Sequence, residues 1–223
     1  MNWNLSALTL AAAIMLPAAS FGAAIEFTNA PVFHDTQLSL GFVFTTNQAI
    51  DITALGYYDE DGDGFQTNHG VGIFDSNGLL LISTILSAGT GSPLEGHYRY
   101  NAVSPITLAA NSTFTIAATT FGNADGWVYG NGDDDITGFV VDPSITVASD
   151  AARFLYQNDN VLRLPTDHFG NFTIYGGPNF KLTAVDGGEV PEPASVMLTL
   201  GGVAALLVFS RRNQAYRRAV QTN

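Results

Sequence analysis

The chain has 223 residues, of which 46% are hydrophobic, a formal net charge of −12 and no cysteine. This length and apolar content favour one folded body over two, and they argue against a disordered chain. The negative charge argues against nucleic-acid binding, because phosphate backbones attract Lys and Arg. The lack of cysteine excludes disulfide scaffolds, thiolate zinc sites and cysteine nucleophiles.

The charge is divided unevenly along the chain. Residues 1–24 carry no charged side chain, and residues 25–190 carry 19 acidic against 4 basic side chains, a net charge of −15. Residues 191–223 carry one acidic and four basic side chains, a net charge of +3. This division indicates segments that serve in different places.

The first segment has the pattern of a secretory signal peptide, which we predict over residues 1–24. Leu5 to Leu16 form an apolar run, Pro17 interrupts it, and residues 18–24 are small apart from Phe21. Such a run is too short for a membrane span and ends in an A-x-A-like stretch. The start lacks the usual Lys or Arg, so a buried N-terminal helix is the alternative. Cleavage after Ser20, Ala23 or Ala24 is open.

Residues 25–185 are predicted to form an all-β body, an antiparallel β-sandwich or jelly roll, because their apolar residues alternate with period two. Glycine and threonine are too frequent for long helices. Asn77-Gly78 predicts a tight hairpin, and Ser104-Pro105 is one of several predicted turns. Strands are predicted at 38–46, 51–58, 70–75, 79–87, 96–102, 113–120, 138–142, 153–156, 172–175 and 180–185.

An acidic loop follows the second of these strands. Asp59, Asp61 and Asp63 alternate and Gly64 follows them, as in the first half of a calcium-binding loop. Ca²⁺ prefers hard oxygen ligands, which three carboxylates in a tight turn can supply. The twelfth position of such a loop would be Gly70, which has no carboxylate. We therefore expect either an incomplete Ca²⁺ site or a solvated acidic loop.

Aromatic residues near loops indicate a second candidate site. Trp127 lies between Gly126 and an acidic stretch, where its face could stack on a sugar ring. Packing inside the β-body is the alternative, because strands use aromatic residues routinely. We name Trp127 as the candidate ligand-binding residue.

No catalytic residue is predicted, and we expect a protein without enzymatic activity. The four histidines form no metal-protease motif, and the chain has no G-x-S-x-G sequence. Paired carboxylates could still hydrolyse glycosidic bonds, since acidic residues are abundant. A secreted polysaccharide-acting hydrolase is therefore the alternative function.

The last segment combines a short extended motif, an apolar run and a basic cluster. After a polar linker at 186–189 come Pro191, Glu192 and Pro193, and the prolines keep this stretch extended. Residues 194–209 are almost purely apolar and would form a single transmembrane helix of about 24 Å. The cluster that follows would stay on the cytoplasmic face by the positive-inside rule and consists of Arg211, Arg212, Arg217 and Arg218. A buried helix of a soluble domain is the alternative.

Residues 190–218 resemble the PEP-CTERM protein-sorting domain of Gram-negative bacteria. The match rests on Pro191, Glu192 and Pro193, on the apolar run and on Arg211 and Arg212. The resemblance implies recognition by an exosortase, which cuts near the motif and releases the body to the cell surface or the exopolysaccharide matrix. On this interpretation the chain is a substrate of the processing enzyme.

The β-body also resembles ectodomains that often precede PEP-CTERM signals. The similarity covers about Gly41 to Thr120, including the stretches 52–59 and 69–81. It implies a fold and a setting but no activity. We therefore expect an exported protein, anchored first in the inner membrane and then placed at the cell surface or in the matrix. There it would have a structural role or would bind exopolysaccharide or a surface glycan. A calcium-dependent adhesion module is a further alternative.

Overall fold

The computed structural model describes residues 22–34, 37–122, 125–130, 136–170 and 172–185. These residues form β-strands and connecting turns, and none of them is in a helix. The strands are Gly22–Ala23 (β1), Ile25–Glu26 (β2), Val32–Phe33 (β3), Gln37–Thr46 (β4), Ile50–Tyr58 (β5), His69–Asp75 (β6), Leu80–Leu86 (β7), Leu94–Glu95 (β8), Tyr98–Leu108 (β9), Thr113–Phe121 (β10), Trp127–Gly130 (β11), Val140–Val141 (β12), Ile145–Thr146 (β13), Ala152–Tyr156 (β14), Ile174–Tyr175 (β15) and Pro178–Ala184 (β16).

The strands build four antiparallel sheets within the described residues. A five-stranded sheet has the order β1-β16-β5-β9-β8, and a six-stranded sheet has the order β13-β4-β10-β6-β7 with β14 also paired to β4. Smaller sheets have the orders β15-β11-β3 and β12-β2. The prediction of an all-β, antiparallel body is therefore confirmed.

The main hydrophobic core contains residues from both large sheets. Phe44 of β4 and Phe180 of β16 meet there with their ring centroids 4.8 Å apart, and Ile52 and Ile116 are fully buried in the same cluster. A second, smaller cluster contains Leu38, Leu40, Trp127, Ala152, Phe154 and Tyr175. Strand β4 therefore contributes residues to both clusters, Phe42 and Phe44 to the main core and Leu38 and Leu40 to the smaller one.

The predicted hairpin at Asn77-Gly78 is present between β6 and β7. Gly78 has φ of 83°, a left-handed conformation that glycine adopts without steric cost. Asp75 fixes the turn, because its carboxylate accepts hydrogen bonds from the backbone N–H groups of Asn77 and Leu79 at 2.9 and 2.8 Å. The hydrogen bond from Leu79 N–H is the main reason that the pKa of Asp75 is lowered.

The predicted turn at Ser104-Pro105 is wrong, because β9 continues through it. Ile106 pairs with Ile52 and Ala102 pairs with Ala54, so three residues of β9 lie opposite Thr53 alone. Such a bulge accommodates a proline, which has no N–H to donate to the sheet ladder. The prediction also missed strands β1, β2, β3, β8, β11 and β13, all of which are at most four residues long.

Candidate functional site

The predicted sorting segments lie outside the described residues. This applies to residues 1–21 of the predicted signal peptide, to Pro191, Glu192 and Pro193, to the apolar run at 194–209 and to the arginines that follow it. In the part of the chain that the structure describes, no helix has the length and apolarity needed to cross a membrane.

The candidate ligand residue Trp127 begins β11, the central strand of the three-stranded sheet. It pairs with Phe33 of β3, and Tyr129 further along β11 pairs with Tyr175 of β15. Aromatic residues are favoured on such pleated surfaces, where their rings pack across neighbouring strands. The short sheet thereby gathers aromatic side chains from distant parts of the chain.

Three of these side chains, Phe33, Trp127 and Tyr175, line a groove of about 150 Å³. Three of its aromatic rings are open to solvent, with exposed fractions of 47% for Phe33, 65% for Tyr156 and 60% for Phe169. Phe169 stacks on Phe154 with a centroid distance of 5.0 Å and an interplanar angle of 5°. The groove is lined by Phe33, Leu38, Leu40, Trp127, Phe154, Tyr156, Phe169 and Tyr175. It therefore offers exposed aromatic faces above a buried apolar floor.

Trp127 belongs mainly to that floor. It is only 7% exposed, and its ring packs against Phe33 and Tyr175 at centroid distances of 5.7 and 5.3 Å. Its indole Nε1–H is buried without a hydrogen-bond partner among the described residues. Because buried donors are nearly always satisfied, an unpaired indole N–H calls for an acceptor from water or a ligand.

The predicted calcium loop borders a second, polar cavity of about 290 Å³. Burial raises the pKa of Tyr58 in its wall, and the negative charges of Glu60, Asp61 and Asp59 raise it further. The cavity is lined by His34, Tyr58, Asp59, Glu60, Asp61, Asp63, Gly64, Gln66, Asp125 and Gly126. The excess of carboxylates makes it a region of negative potential.

Within this cavity, Asp59 is paired with a buried arginine. Its Oδ2 atom accepts hydrogen bonds from Arg99 Nε at 2.5 Å and from the Gly64 backbone N–H at 3.1 Å. Arg99 also donates to the carbonyl oxygens of Gly62 at 2.8 Å and Ser92 at 2.9 Å. The guanidinium therefore closes the acidic loop and neutralises its first carboxylate.

The three predicted calcium ligands differ in their surroundings. Asp59 is 5% exposed and bound to Arg99, whereas Asp61 and Asp63 are exposed to solvent. Among the described residues, no three His, Asp or Glu side chains converge as a group that could hold a metal ion. The calcium site remains a prediction.

A buried histidine–aspartate pair lies behind the acidic cavity. His69 Nε2 is 3.0 Å from Asp125 Oδ2, and His69 Nδ1 is 2.8 Å from the Thr119 carbonyl oxygen. Both ring nitrogens therefore contact oxygen atoms of neighbouring residues. Asp125 also accepts hydrogen bonds from the backbone N–H groups of Gln66 and Thr67. Since His69 is fully buried, we assign the pair a structural role. It joins the loop before β6 to the loop before β11.

Opposing effects act on the Asp125 carboxyl group. Burial raises its pKa, but the hydrogen bonds from His69, Gln66 and Thr67, together with the charge of His69, outweigh burial and leave the pKa below its usual value. The carboxylate is therefore the favoured form at neutral pH.

Sequence reasoning missed Arg99 and the exposed rings of Tyr156 and Phe169. Arg99 carries a usable signal, because it is one of only four basic residues in the body and lies between Tyr98 and Tyr100 in a strand. A charged residue at such a position needs a buried partner. Tyr156 and Phe169 carry no such signal, since only the fold brings them beside Trp127.

Comparison with known proteins gives no match, either to a family model, to a curated protein or to a solved structure.

Proposed function

We propose that the chain is an exported surface or matrix protein, processed by an exosortase and carrying a β-body that binds glycan. The observation that carries the export and processing is the order of features near the C-terminus, with Pro191-Glu192-Pro193, then an apolar run, then Arg211 and Arg212. The signal-peptide pattern over residues 1–24 supports the same route. The mature protein would lie at the cell surface or in the exopolysaccharide matrix of a Gram-negative bacterium.

We further propose that the body is a β-sandwich of the jelly-roll type. The contact between Phe44 and Phe180 across the two large antiparallel sheets supports this arrangement. Such folds present loops and grooves at the ends and edges of a rigid framework, where ligands can bind.

The processing step is tested by replacing the motif in the full chain. We expect the Pro191→Ala, Glu192→Ala double variant to stay in the membrane fraction, because the body is no longer cut from the apolar run that anchors it. A matched control replaces Glu189 by Ala in the linker and leaves release intact. Equal release of the double variant and the parent protein would contradict exosortase processing.

The aromatic groove is the proposed glycan site. Sugar rings carry apolar C–H faces that stack on exposed aromatic rings, and Phe33, Tyr156 and Phe169 supply such rings. A sugar hydroxyl has the acceptor oxygen that the unpaired Trp127 Nε1–H lacks. The net charge of −15 over residues 25–190 disfavours anionic polysaccharides, so we propose a neutral glycan.

Glycan-array binding of the exported protein, with and without Ca²⁺, tests this site. We expect Tyr156→Ala and Phe169→Ala to lose most binding, and Trp127→Phe to weaken it while keeping the packing. The control Leu79→Ala removes an equally exposed apolar side chain, 63% exposed, in the hairpin between β6 and β7. Binding that survives in the double variant Tyr156→Ala, Phe169→Ala would contradict the site.

The same preparation tests the calcium prediction and the alternative function. Heat on titration with Ca²⁺ and a rise in melting temperature would support a Ca²⁺-stabilised loop at Asp59, Asp61 and Asp63. If Ca²⁺ produces no heat and no rise in melting temperature, the calcium prediction is removed. Release of reducing ends from a polysaccharide panel would favour the secreted hydrolase instead.

A further inference from the structure

The residues directly after the small-residue stretch are built into the fold. In β1, Gly22 pairs with Leu182 and Ala23 pairs with Lys181 of β16. Ala24 N–H donates to the Phe180 carbonyl at 2.8 Å, and the Ala24 carbonyl accepts from Asp142 N–H at 3.0 Å. The backbone from Gly22 to Ala24 is therefore the edge of the five-stranded sheet.

Ile25 continues this pattern at greater depth. Its N–H donates to Asn179 Oδ1 at 3.3 Å, and its carbonyl accepts from Asn179 Nδ2 at 2.8 Å. Ala24 and Ile25 are both fully buried and belong to the main core. Each of these two backbone nitrogens is thus buried and donates one hydrogen bond, and the acceptor of the Ile25 N–H, Asn179 Oδ1, also accepts the Phe180 N–H at 2.9 Å.

A cut directly before either residue would place a charged group in the core. Cleavage after Ala24 turns the Ile25 nitrogen into an α-ammonium group, with three N–H donors and a positive charge at neutral pH. Cleavage after Ala23 does the same to the Ala24 nitrogen. Burying an unpaired charge is strongly unfavourable, and either cut also removes β1 from the sheet.

A cut after Ser20 has neither consequence. It leaves Gly22 to Ile25 attached, and Ala18-Ala19-Ser20 matches the A-x-A-like cleavage pattern. Cleavage after Ala23 fits that pattern less well, because it places Phe21 at the first of the two small positions.

We propose that the signal peptidase hydrolyses the Ser20–Phe21 peptide bond. Water adds across the amide and leaves a carboxylate on Ser20 and an ammonium group on Phe21. Because the enzyme acts on the unfolded, exported chain, the fold does not guide the cut. The fold instead determines which mature chain still contains β1 and can complete the five-stranded sheet. This inference rests on the proposed export.

The experiment expresses the full chain in a Gram-negative host and reads the mature N-terminus by peptide mass mapping. We expect the loss of residues 1–20 and a chain that starts at Phe21. A start at any later residue overturns the proposed bond and leaves export intact. An uncut chain found outside the inner membrane also contradicts cleavage at Ser20–Phe21 and leaves export intact. An uncut chain found in the cytoplasm contradicts export itself.

Two variants of the full chain separate the proposed bond from its neighbours. Ser20→Leu places a large side chain directly before the bond, so we expect loss of the Phe21-started product and accumulation of precursor. The control Ala23→Val keeps a strand-compatible residue in β1 and leaves processing unchanged. A Phe21-started product from Ser20→Leu in parental amounts would overturn the proposal.

Discussion

At the residue scale, Arg99 fixes the acidic loop that follows β5. Its guanidinium contacts the Asp59 carboxylate and the Gly62 carbonyl of this loop. It also contacts the carbonyls of Thr90 and Ser92 between β7 and β8, so one side chain joins the two loops. The pair is buried, with 6% and 4% of the two side chains exposed. Removing one member of a buried pair leaves the other charge without a partner.

We therefore expect Arg99→Met to destabilise the protein strongly, by about 3–5 kcal/mol. Urea unfolding followed by circular dichroism measures the change in the free energy of unfolding. The matched control is Arg163→Met, which removes an arginine from an exposed ion pair with Asp159 and should change stability little. Equal effects of the two variants would contradict the role given to Arg99.

The Asp125 carboxylate makes stability depend on pH in the acid range. Its folded-state pKa lies below the ordinary value of 3.8, so its contribution is present above that value and is lost as the pH falls through the folded-state pKa. We expect the difference in melting temperature between the parent protein and Asp125→Asn to shrink as the pH falls below about 4. A difference that stays constant from pH 6 to the acid limit of folding would contradict this assignment.

At the element scale, β4 and β10 approach each other closely at Gly41. A Cβ atom at this position would lie 2.0 Å from the Ile116 carbonyl oxygen, which is backbone and cannot swing away. Gly41 pairs with Ala117 on one side and Arg153 on the other. The six-stranded sheet therefore requires a residue without a side chain here.

We expect Gly41→Ala to destabilise the protein by about 3 kcal/mol or more, because the strands must move apart. Thermal unfolding measures the effect. Gly91→Ala serves as the control, since no atom lies within 4 Å of the Cβ position there. A Gly41→Ala protein as stable as the Gly91→Ala control would show that the sheet can absorb the methyl group.

The elements also show which sequence signals translate directly into structure. The hairpin at Asn77-Gly78 follows from local chemistry, because glycine permits the φ of 83° and Asp75 caps the turn. Pro105 carries an equally strong local signal, yet it lies in a bulge of β9. The difference arises because β5 pairs with β9 on both sides of Pro105, and a bulge accommodates the missing N–H.

At the scale of the whole molecule, the two ends of the described body lie in neighbouring strands. β1 pairs with β16, so residues 22–23 and 181–182 are hydrogen-bonded although most of the chain separates them. Val185 N–H further donates to the Ala49 carbonyl at 3.0 Å. The sheet is therefore completed only when both ends of the body are present.

We expect a chain that ends after Val185 to unfold cooperatively at a melting temperature close to that of the full chain. A chain that ends after Asn179 lacks Phe180 and Leu182, both in the main core, and should show no cooperative transition. Thermal unfolding by circular dichroism compares the two. A cooperative transition in the shorter chain would show that β16 is dispensable.

The sequence by itself determined the all-β class, the antiparallel pairing and most of the long strands, because period-two alternation and turn residues are local properties. The same local reasoning supplies the predictions for residues 1–24 and 186–223, and it named Asp59 and Trp127 as candidate site residues. Only the tertiary structure decided that Asp59 pairs with Arg99. It also decided that Trp127 lies beneath exposed Phe33, Tyr156 and Phe169, and that Ala24 and Ile25 are core residues. These contacts join residues far apart in the chain, and their partners are chosen by strand pairing and core packing, which no short sequence window contains.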